Sequence, residues 1–235
     1  MVKYSVIIPT LNEEENIRAC IAVVRAANQD VEILVADGGS QDQTIEIARK
    51  EGALVCRASP GRGEQCNAGA KIACGEILLF LHADSRLPAN AFILLREFFQ
   101  DDQVEIGTFR LKFDHDHSLL ALYAVFSRFD TIFTRFGDQC IVVRRPFFGA
   151  LGGFPDWPLF EDVKLLQMAR QLTRIHSFPA QVTTSARRYL QGGVVRQQLI
   201  NLRCMIRYLL GVSPAQIALE YERYKTRKRL NEEKR

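Results

Sequence analysis

The stretch Leu78-Leu-Phe-Leu-His-Ala-Asp-Ser-Arg-Leu87 includes most of an apolar run, residues 77–81, that ends abruptly in polar residues. Such a run is typical of a buried parallel strand. His82 and Asp84 follow its end, and open α/β sheets bind ligands at the carboxyl ends of their strands. Divalent cations often bind through one or two carboxylates and substrate phosphates. Asp84 is therefore a candidate metal ligand facing a nucleotide diphosphate, although a carboxylate here would also suit a helix cap.

Three other short apolar runs precede this strand and predict further buried strands. They are Tyr4–Pro9, Val31–Ala36 and Ala53–Cys56. Helical patterns separate the runs, and they lie around Ile17, Ile21 and Val24 and in Thr44–Lys50 and Asn67–Ala73. These four alternations over residues 1–84 predict an α/β fold with a mostly parallel, doubly wound sheet flanked by helices.

Other polar residues at the strand ends are candidate ligand contacts. Asp37 ends the second strand and precedes two glycines, which allow a backbone to come close to a ligand. An acidic residue at such a position often binds ribose hydroxyls, although a glycine turn before a helix cap would explain the same residues. Arg62 lies in a glycine-containing loop, residues 59–65, that we expect to be either a mobile phosphate-binding loop or a plain solvent turn.

The second half of the chain predicts less regular structure. Val104–Phe113 alternates apolar and polar residues, as an exposed or antiparallel strand does. The Phe-rich stretch Leu119–Phe136 predicts a helix that packs on the sheet or touches an apolar acceptor, and we favour packing into the core. Other predicted elements include a helix at Pro88–Gln100, strands at Cys140–Val143, Arg174–Phe178 and Val182–Thr184, and terminal helices at Val194–Leu210 and Pro214–Tyr224.

Glu161 and Asp162 open a predicted helix after a long loop punctuated by Gly and Pro, residues 149–158. Two acidic residues at a helix start complement the helix dipole. They would also supply a general base if the helix start faces the crevice. Further along, the basic groups of Arg187, Arg188 and Arg196 could close over a pyrophosphate. The spacing of residues 114–117, Asp-His-Asp-His, suggests metal ligands, but we favour a polar loop.

Composition excludes several classes of protein. Of the net charge of +4, residues 223–235 carry +5, so the basic surplus is a C-terminal tail and not a nucleic-acid-binding body. This tail is either a solvated helix end, which we favour, or a contact for anionic lipid or a phosphorylated partner. The six cysteines form no Cys-x-x-Cys pair, which disfavours zinc and predicts a reduced, cytoplasmic protein. We expect neither a signal peptide nor a membrane-spanning helix.

Together these pieces resemble family 2 glycosyltransferases, which have the GT-A nucleotide-diphospho-sugar transferase fold. The resemblance lies in an ordered series over about 160 residues: Val6-Ile-Ile-Pro-Thr-Leu-Asn-Glu13, Val35-Ala-Asp37-Gly-Gly-Ser-Gln-Asp42, Arg62-Gly63 with Asn67-Ala-Gly69, Phe80-Leu-His-Ala-Asp84, Gly152-Gly-Phe154 and Glu161-Asp162.

The resemblance implies roles for individual residues. The residues that would bind the nucleotide-sugar are Thr10, Glu13, Asp37, Arg62, His82 and Asp84. Asp84 matches the last carboxylate of the family's Asp-x-Asp metal motif, which implies Mn²⁺ or Mg²⁺. His82 stands where many members have the first Asp, and we interpret it as a feature of a bacterial subgroup. Asp162 matches the residue that takes the acceptor's proton in inverting members, and Glu161 would support it.

We therefore expect a metal-assisted, inverting glycosyltransferase that uses a UDP-sugar. Residues 1–190 would form the transferase domain, with a nucleotide-binding half (1–84) and an acceptor half (85–190), and residues 191–235 a helical extension. The acceptor is open among lipid, polysaccharide and small molecule, and peripheral contact with the inner face of the membrane is one expectation. The alternatives are a nucleotidyltransferase and a nucleotide-sugar-binding protein without transferase activity.

Overall fold

One sheet of eight strands organises the computed structural model, which describes residues 3–222. In chain order the strands are β1 Tyr4–Thr10, β2 Glu32–Asp37, β3 Leu54–Arg57, β4 Ile77–Phe80, β5 Ser85–Arg86, β6 Ile106–Phe113, β7 Ile141–Arg144 and β8 His176–Thr184. The helices are α1 Ile17–Ala27, α2 Thr44–Lys50, α3 Arg62–Ile72, α4 Ala91–Phe98, α5 Ser118–Phe126, α6 Arg145–Ala150, α7 Glu161–Arg170, α8 Arg187–Gly192 and α9 Val194–Leu209. The strands lie in the order β3-β2-β1-β4-β7-β6-β8-β5.

The first half of the chain forms the parallel part of this sheet. β1 pairs in parallel with both β2 and β4, and β2 pairs in parallel with β3. All four residues of β4 are buried, which explains why this strand is continuously apolar. The predicted α/β sheet flanked by helices is thus confirmed. The prediction for Arg62 is wrong in one respect, because Arg62 begins helix α3 and does not lie within a mobile loop.

The second half adds antiparallel strands to this sheet. β7 pairs antiparallel with β4 and β6, and β8 pairs in parallel with β6. The alternating stretch Val104–Phe113 contains β6, whose antiparallel pairing is confirmed. The expectation that this strand is exposed is wrong, since it lies between β7 and β8. Its polar residue Thr108 is buried. The Thr108 hydroxyl is satisfied there by a hydrogen bond that the Arg135 guanidinium donates at 2.7 Å.

The sequence predicts two short strands between Arg174 and Thr184, but the structure has one, β8. The register of β8 against β6 shifts between Phe109 and Arg110. Pro179 falls within the unpaired interval on β8. Proline has no N–H to donate to a ladder, and bulges are where sheets accommodate it. The polar interruption seen in the sequence is therefore a bulge within a continuous strand.

The core consists of two apolar layers, one on each face of the sheet. Successive side chains of a strand point to opposite faces, so Val6 and Ile8 belong to one layer and Ile7 to the other. The first layer includes buried residues of α1, α2, α4 and α5. The second includes residues of α3, α6 and α7. This double covering leaves the ends of the strands as the accessible edge.

The stretch Leu119–Phe136 does not pack into the core as predicted. Helix α5 ends at Phe126, and of its residues only Leu120 is buried. Helix α5 is apolar on all sides, and its contact with β6 buries only one of them. The other sides stay exposed. The large apolar side chains that remain between 42% and 57% exposed are Leu119, Leu122, Val125, Phe126, Phe129 and Phe133.

The predicted terminal helices are present as far as the structure describes the chain. Helix α9 matches the first of them, and residues 214–222 are helical after a break that includes Gly211. The basic tail, residues 223–235, lies outside the described residues. Between residues 3 and 222, no helix has both the length and the apolar composition that a membrane crossing requires.

Gln65 joins the ends of two strands beneath the accessible edge. This buried residue of α3 donates from Nε2 to the carbonyl oxygen of Thr10 at 2.6 Å and to that of Ala36 at 2.9 Å. The same amide would meet a Cβ added to Gly38 at 3.0 Å, so this position favours glycine. A single side chain thus fixes the spacing of β1 and β2 where they deliver Thr10 and Asp37.

Replacing Gln65 with Leu removes both hydrogen bonds and keeps a similar side-chain volume. We expect the free energy of unfolding to fall by about 1–3 kcal/mol, because buried hydrogen bonds contribute about 0.5–1.5 kcal/mol each. Urea denaturation measures this change. The exposed Gln100→Leu serves as the control and should unfold like the wild type. Equal stability of all three proteins would contradict the proposed bridging role of Gln65.

Candidate active site

A cleft of about 1020 Å³ opens at the carboxyl ends of the central strands. Its walls come from segments far apart in the sequence, including the start of α7 and part of α9. Six of the eight residues that the sequence predicts as site residues line it. They are Glu13, Arg62, His82, Asp84, Glu161 and Asp162. The fold thus brings together side chains that are up to 149 positions apart.

Thr10 and Asp37 lie beside the cleft and do not line it. They are register partners at the ends of β1 and β2, and both are buried. The Asp37 carboxylate accepts hydrogen bonds from the backbone N–H groups of Gly39 at 2.8 Å and Ser40 at 2.9 Å. Asp37 therefore organises its own loop in this structure, and the contact with a base or ribose stays a prediction.

His82 and Asp84 extend from the end of β4 into the cleft, and both are partly buried. Burial holds the pKa of His82 well below its usual value, and the positive charges of Arg62 and Arg188 lower it further. The imidazole is therefore neutral near pH 7. Burial also raises the pKa of Glu13, and the negative charge of Asp84 adds to this rise. These effects describe a crevice in which the His82 imidazole carries no charge.

Glu161 is the buried member of the acidic pair at the start of α7. The preceding residue, Phe160, has a left-handed backbone with φ of 66°, a conformation that is uncommon outside glycine. The Glu161 carboxylate lies 3.2 Å from the Arg62 guanidinium. Burial and the negative charge of Asp162 raise the pKa of Glu161 to about 7, although Arg62 opposes the rise.

Two backbone hydrogen bonds fix the carboxylate of Asp162. Its Oδ2 accepts from the N–H of Gly137 at 2.6 Å, and its Oδ1 accepts from the N–H of Val163 at 2.7 Å. A Cβ added to Gly137 would lie 3.0 Å from Oδ2, so the close approach favours glycine. Asp162 is partly exposed to the cleft and is therefore both positioned and accessible.

Asp138 is a cleft residue that the sequence pattern did not reveal. It lies in a short 3₁₀ turn, Gly137–Gln139, and its Oδ1 is shielded from water without a hydrogen-bond partner among the described residues. Burial raises its pKa to about 7, with further contributions from the charges of Asp162 and Asp84. The only signal in the sequence was the Gly-Asp-Gln piece itself, which does not show that the turn folds back to Asp162.

The opposite wall comes from the C-terminal part of the described chain. Arg187 and Arg188 line the cleft, as the prediction of basic groups above a pyrophosphate requires, whereas Arg196 is not among the lining residues. The Arg187 guanidinium lies 3.2 Å from the exposed Glu15 carboxylate after β1. This pair joins the start of α8 to the segment that follows β1. The lining residues from α9 include Gln197, Gln198, Ile200, Asn201, Leu202, Cys204 and Met205.

The loop of residues 151–160 is fixed to α3 by one side chain. The Asn67 amide donates to the Phe154 carbonyl at 2.8 Å and accepts from the Phe154 N–H at 2.9 Å. The end of this loop, Leu159 and Phe160, lines the cleft, but Trp157 does not. Trp157 instead contacts the ring of Tyr208.

The cleft has carboxylates that could bind a divalent cation together with the phosphates of a bound substrate. Within residues 3–222, no three metal-ligating side chains come together. Asp84 and the unpartnered Oδ1 of Asp138 are oxygen donors in the same cleft. Mg²⁺ is typically bound by one or two carboxylates together with substrate phosphates. The donor set therefore suits a cation that arrives with a diphosphate.

The Asp-His-Asp-His segment is a loop, as we favoured. Asp114 accepts a hydrogen bond from the N–H of Ala186 at 2.7 Å. His117 Nδ1 accepts from the N–H of Leu119 and caps α5. These side chains have structural partners and lie outside the cleft.

A family model described as Glycosyl transferase family 2 matches residues 5–148. The chain belongs to glycosyl transferase family 2. The matched residues include β1 to β7, and therefore the strands that deliver His82 and Asp84. Helix α7 with Asp162 lies beyond the matched segment.

Relatives of this family 2 member include two named glycosyltransferases. A PGL/p-HBAD biosynthesis glycosyltransferase of Mycobacterium bovis (strain BCG / Pasteur 1173P2) is 37% identical over 92 residues, which are 36% of this chain and 36% of the relative. A 4,4'-diaponeurosporenoate glycosyltransferase of Staphylococcus haemolyticus (strain JCSC1435) is 35% identical over 91 residues, 35% of this chain and 24% of the relative. The match thus spans about a third or less of their length.

Solved structures share the fold over most of the chain. TarS 1–349 of S. aureus superposes with a TM-score of 0.66 at 20% identity, covering 79% of this chain and 61% of that TarS fragment. The mannosyltransferase PcManGT of Pyrobaculum calidifontis, in complex with GDP-Man and Mn²⁺, gives 0.61 at 18% identity, covering 77% and 56%. Glucosyl-3-phosphoglycerate synthase of Mycobacterium tuberculosis, with Mn²⁺ and UDP, gives 0.56 at 21% identity, covering 78% and 70%.

The ion pair between Arg62 and Glu161 makes a testable electrostatic prediction. Arg62 favours the charged form of Glu161, so Arg62→Gln should raise the pKa of Glu161 above about 7. Carbon-13 NMR titration of labelled glutamate carboxyl groups measures this pKa directly. Arg18→Gln, which removes a surface pair with Glu51, should leave Glu161 unchanged. An unaltered titration of Glu161 in Arg62→Gln would show that the pair does not control it.

Proposed function

We propose that this family 2 member transfers a sugar from a nucleotide-diphosphate donor, a UDP-sugar, to an acceptor hydroxyl with inversion. One observation carries the proposal: Asp84 and a backbone-anchored Asp162 line the same cleft. The first is suited to the donor's diphosphate and the second to a proton. Chemistry at the anomeric carbon needs both groups at once.

The donor assignment rests on what the structural neighbours contain. TarS has been crystallised with UDP and with UDP-GlcNAc, and PcManGT with GDP-Man. By analogy, Thr10, Glu13 and Asp37 would contact the base and ribose, and Arg62 would assist. The Asp37 carboxylate would reach a ribose only if its loop hydrogen bonds rearrange or if the ligand shares them.

The neighbours also support a divalent cation, because PcManGT and glucosyl-3-phosphoglycerate synthase were crystallised with Mn²⁺. We propose Asp84 as the ligand of Mn²⁺ or Mg²⁺, with Asp138 as a second oxygen donor. Such a cation, when bound, stabilises the negative charge on a departing diphosphate. His82 adds no charge, so more of the cation's affinity must come from the diphosphate.

Asp162 is the proposed general base. Its carboxylate takes the proton of the acceptor hydroxyl as that oxygen forms a bond to the anomeric carbon, and the bond to the diphosphate breaks on the opposite face. The N–H groups of Gly137 and Val163 hold the carboxylate in place for this transfer. Glu161 would help to position Asp162 by holding the start of α7 through its ion pair with Arg62.

Two other functions are less well supported. A nucleotidyltransferase would need a glycine-rich phosphate loop after the first strand, where this chain has Thr10-Leu-Asn-Glu13. A binding protein without activity would not need the carboxylate of Asp162 held at the cleft. Measured transfer or hydrolysis of a donor would exclude a protein that only binds.

The domain boundaries also remain a proposal. Residues 1–190 would be the transferase domain, with residues 1–84 serving the donor and residues 85–190 the acceptor. The extension from residue 191 is more than an appendage, because α9 supplies part of the cleft wall. We therefore propose that it helps to shape the acceptor side.

Loss of the base should separate turnover from binding. In Asp162→Asn we expect the rate of UDP release from a UDP-sugar to fall about 10²–10⁴-fold, the usual contribution of general base catalysis. Affinity for UDP, measured by calorimetry, should be unchanged. The control is Asp156→Asn, an exposed residue of the neighbouring loop, which should keep the full rate. Full activity in Asp162→Asn would exclude Asp162 as the base.

Loss of the metal ligand should have the opposite signature. Asp84→Asn should weaken Mn²⁺ binding in the presence of UDP at least tenfold, because the remaining oxygen donors carry less charge. Electron paramagnetic resonance of free Mn²⁺ follows this binding. Asp116→Asn, in the exposed Asp-His-Asp-His loop, should bind Mn²⁺ like the wild type. Equal binding by Asp84→Asn would remove Asp84 from this role.

A further inference from the structure

Helix α9 presents an apolar face to solvent. Its buried residues, which include Val194, Gln197 and Met205, lie on the other side of the helix. The exposed ones recur three and four positions apart, which places them on one face. These residues are between 46% and 77% exposed, and the set includes Leu210, the residue after the helix. They are Val195, Leu199, Leu202, Ile206, Leu209 and Leu210.

This surface continues onto helix α5, which contacts α9. The sheet leaves uncovered the exposed apolar side chains of α5 and of the segment after it, which lie within residues 119–133. We call these side chains and those of α9 the apolar face. Surfaces of this kind mark sites of interaction with another molecule or a membrane. The apolar face is thus a functional feature that the proposed chemistry does not explain.

Helices α5 and α9 carry no acidic residue of their own, and one arginine of α9, Arg207, forms an ion pair with Glu220 of the helix that follows. Helix α9 contains three arginines, and α5 contains no charged residue. Arg196 and Arg203 are seven positions apart and therefore lie along the same edge of the exposed stripe. The nearby Asp130 is paired with Arg135 and Arg170. The apolar face is therefore bordered by positive charge without a competing carboxylate on either helix.

We propose that the apolar face docks on the surface of a membrane that contains anionic phospholipids. An amphipathic helix with apolar residues on one side and arginines beside them is the pattern that lies in the plane of a bilayer interface. The positive border would attract anionic head groups. Residues 223–235 follow the last described helix and carry seven Lys or Arg and two Glu, which adds to the same attraction.

Two other occupants fit less well. A second copy of the chain would cover the apolar residues but would offer no acidic residue of α5 or α9 to the arginines beside them. The C-terminal segment has only Tyr224 and Leu230 as large apolar residues in positions 223–235. Two side chains cannot cover the whole of the apolar face. A membrane surface satisfies both the apolar area and the charge.

The position of the apolar face also suggests where the acceptor enters. Phe133 and Leu202 belong both to this face and to the lining of the cleft. Docking would therefore hold one rim of the cleft against the head groups. This part of the inference, which rests on the proposed transferase function, implies an acceptor carried on a lipid.

Flotation of the full chain with lipid vesicles tests the docking directly. We expect the wild type to float with vesicles of phosphatidylcholine and phosphatidylglycerol at a ratio of about 7:3, and to float much less with phosphatidylcholine alone. The double variant Leu199→Ser/Ile206→Ser should bind the anionic vesicles at least tenfold more weakly. Neither of these residues lines the cleft, so UDP binding should not change.

A matched double variant controls for the loss of exposed apolar residues in general. Ile93→Ser/Leu54→Ser removes two side chains that are 61% and 57% exposed and lie outside the apolar face. It should bind vesicles like the wild type. Thermal unfolding of all three proteins checks that each remains folded.

Three results would overturn the proposal. The first is wild-type flotation by Leu199→Ser/Ile206→Ser, and the second is failure of the wild type to float with anionic vesicles. The third is a wild-type dimer, seen by light scattering, that does not float and becomes a monomer in the double variant. Vesicle binding needs no sugar transfer, so these results leave the proposed activity to be judged separately by UDP binding and turnover.

Discussion

Repulsion among carboxylates in one partly desolvated cleft is the constraint on which the site depends. Asp84, Asp138, Glu161 and Asp162 all line the cleft, and burial together with their mutual charges raises the pKa values of Glu161 and Asp138 to about 7. The protein balances this charge in three ways. Arg62 pairs with Glu161, backbone N–H groups bind Asp162, and residue 82 is a neutral imidazole. A second Asp at position 82 would add to the repulsion.

Parts of the backbone next to the acidic pair are unusual. Gly137 has no side chain, which lets its N–H reach the Asp162 carboxylate. Phe160 has a left-handed backbone at the residue before Glu161, so α7 starts where the acidic pair meets the cleft. The Phe160 ring packs on Tyr208 of α9, with centroids 4.9 Å apart. The C-terminal helices thus help to hold the start of α7.

Local sequence pattern was sufficient to predict the parallel strands and several residues of the cleft, and the resemblance to the family added Glu13. Continuous apolar runs such as Ile77–Phe80 indicated the strands, and polar residues at their ends indicated cleft residues such as His82 and Asp84. Asp138 could not be predicted, since no local pattern reveals that a turn returns to Asp162. The prediction for Leu119–Phe136 was wrong because apolar composition does not say how many sides of a helix the sheet can cover. The sequence predicted two strands in place of β8, because the residues of a β-bulge interrupt the apolar pattern in the same way as the end of a strand.

Joint binding of a nucleotide diphosphate and a divalent cation at Asp84 is the central claim about the cleft. Calorimetric titration of the full chain with UDP, in the presence and absence of Mn²⁺, tests this claim most directly. We predict binding that becomes at least tenfold tighter when Mn²⁺ is present. Equal affinity with and without Mn²⁺ would contradict the role of the cation, and no binding in either case would contradict the donor site itself.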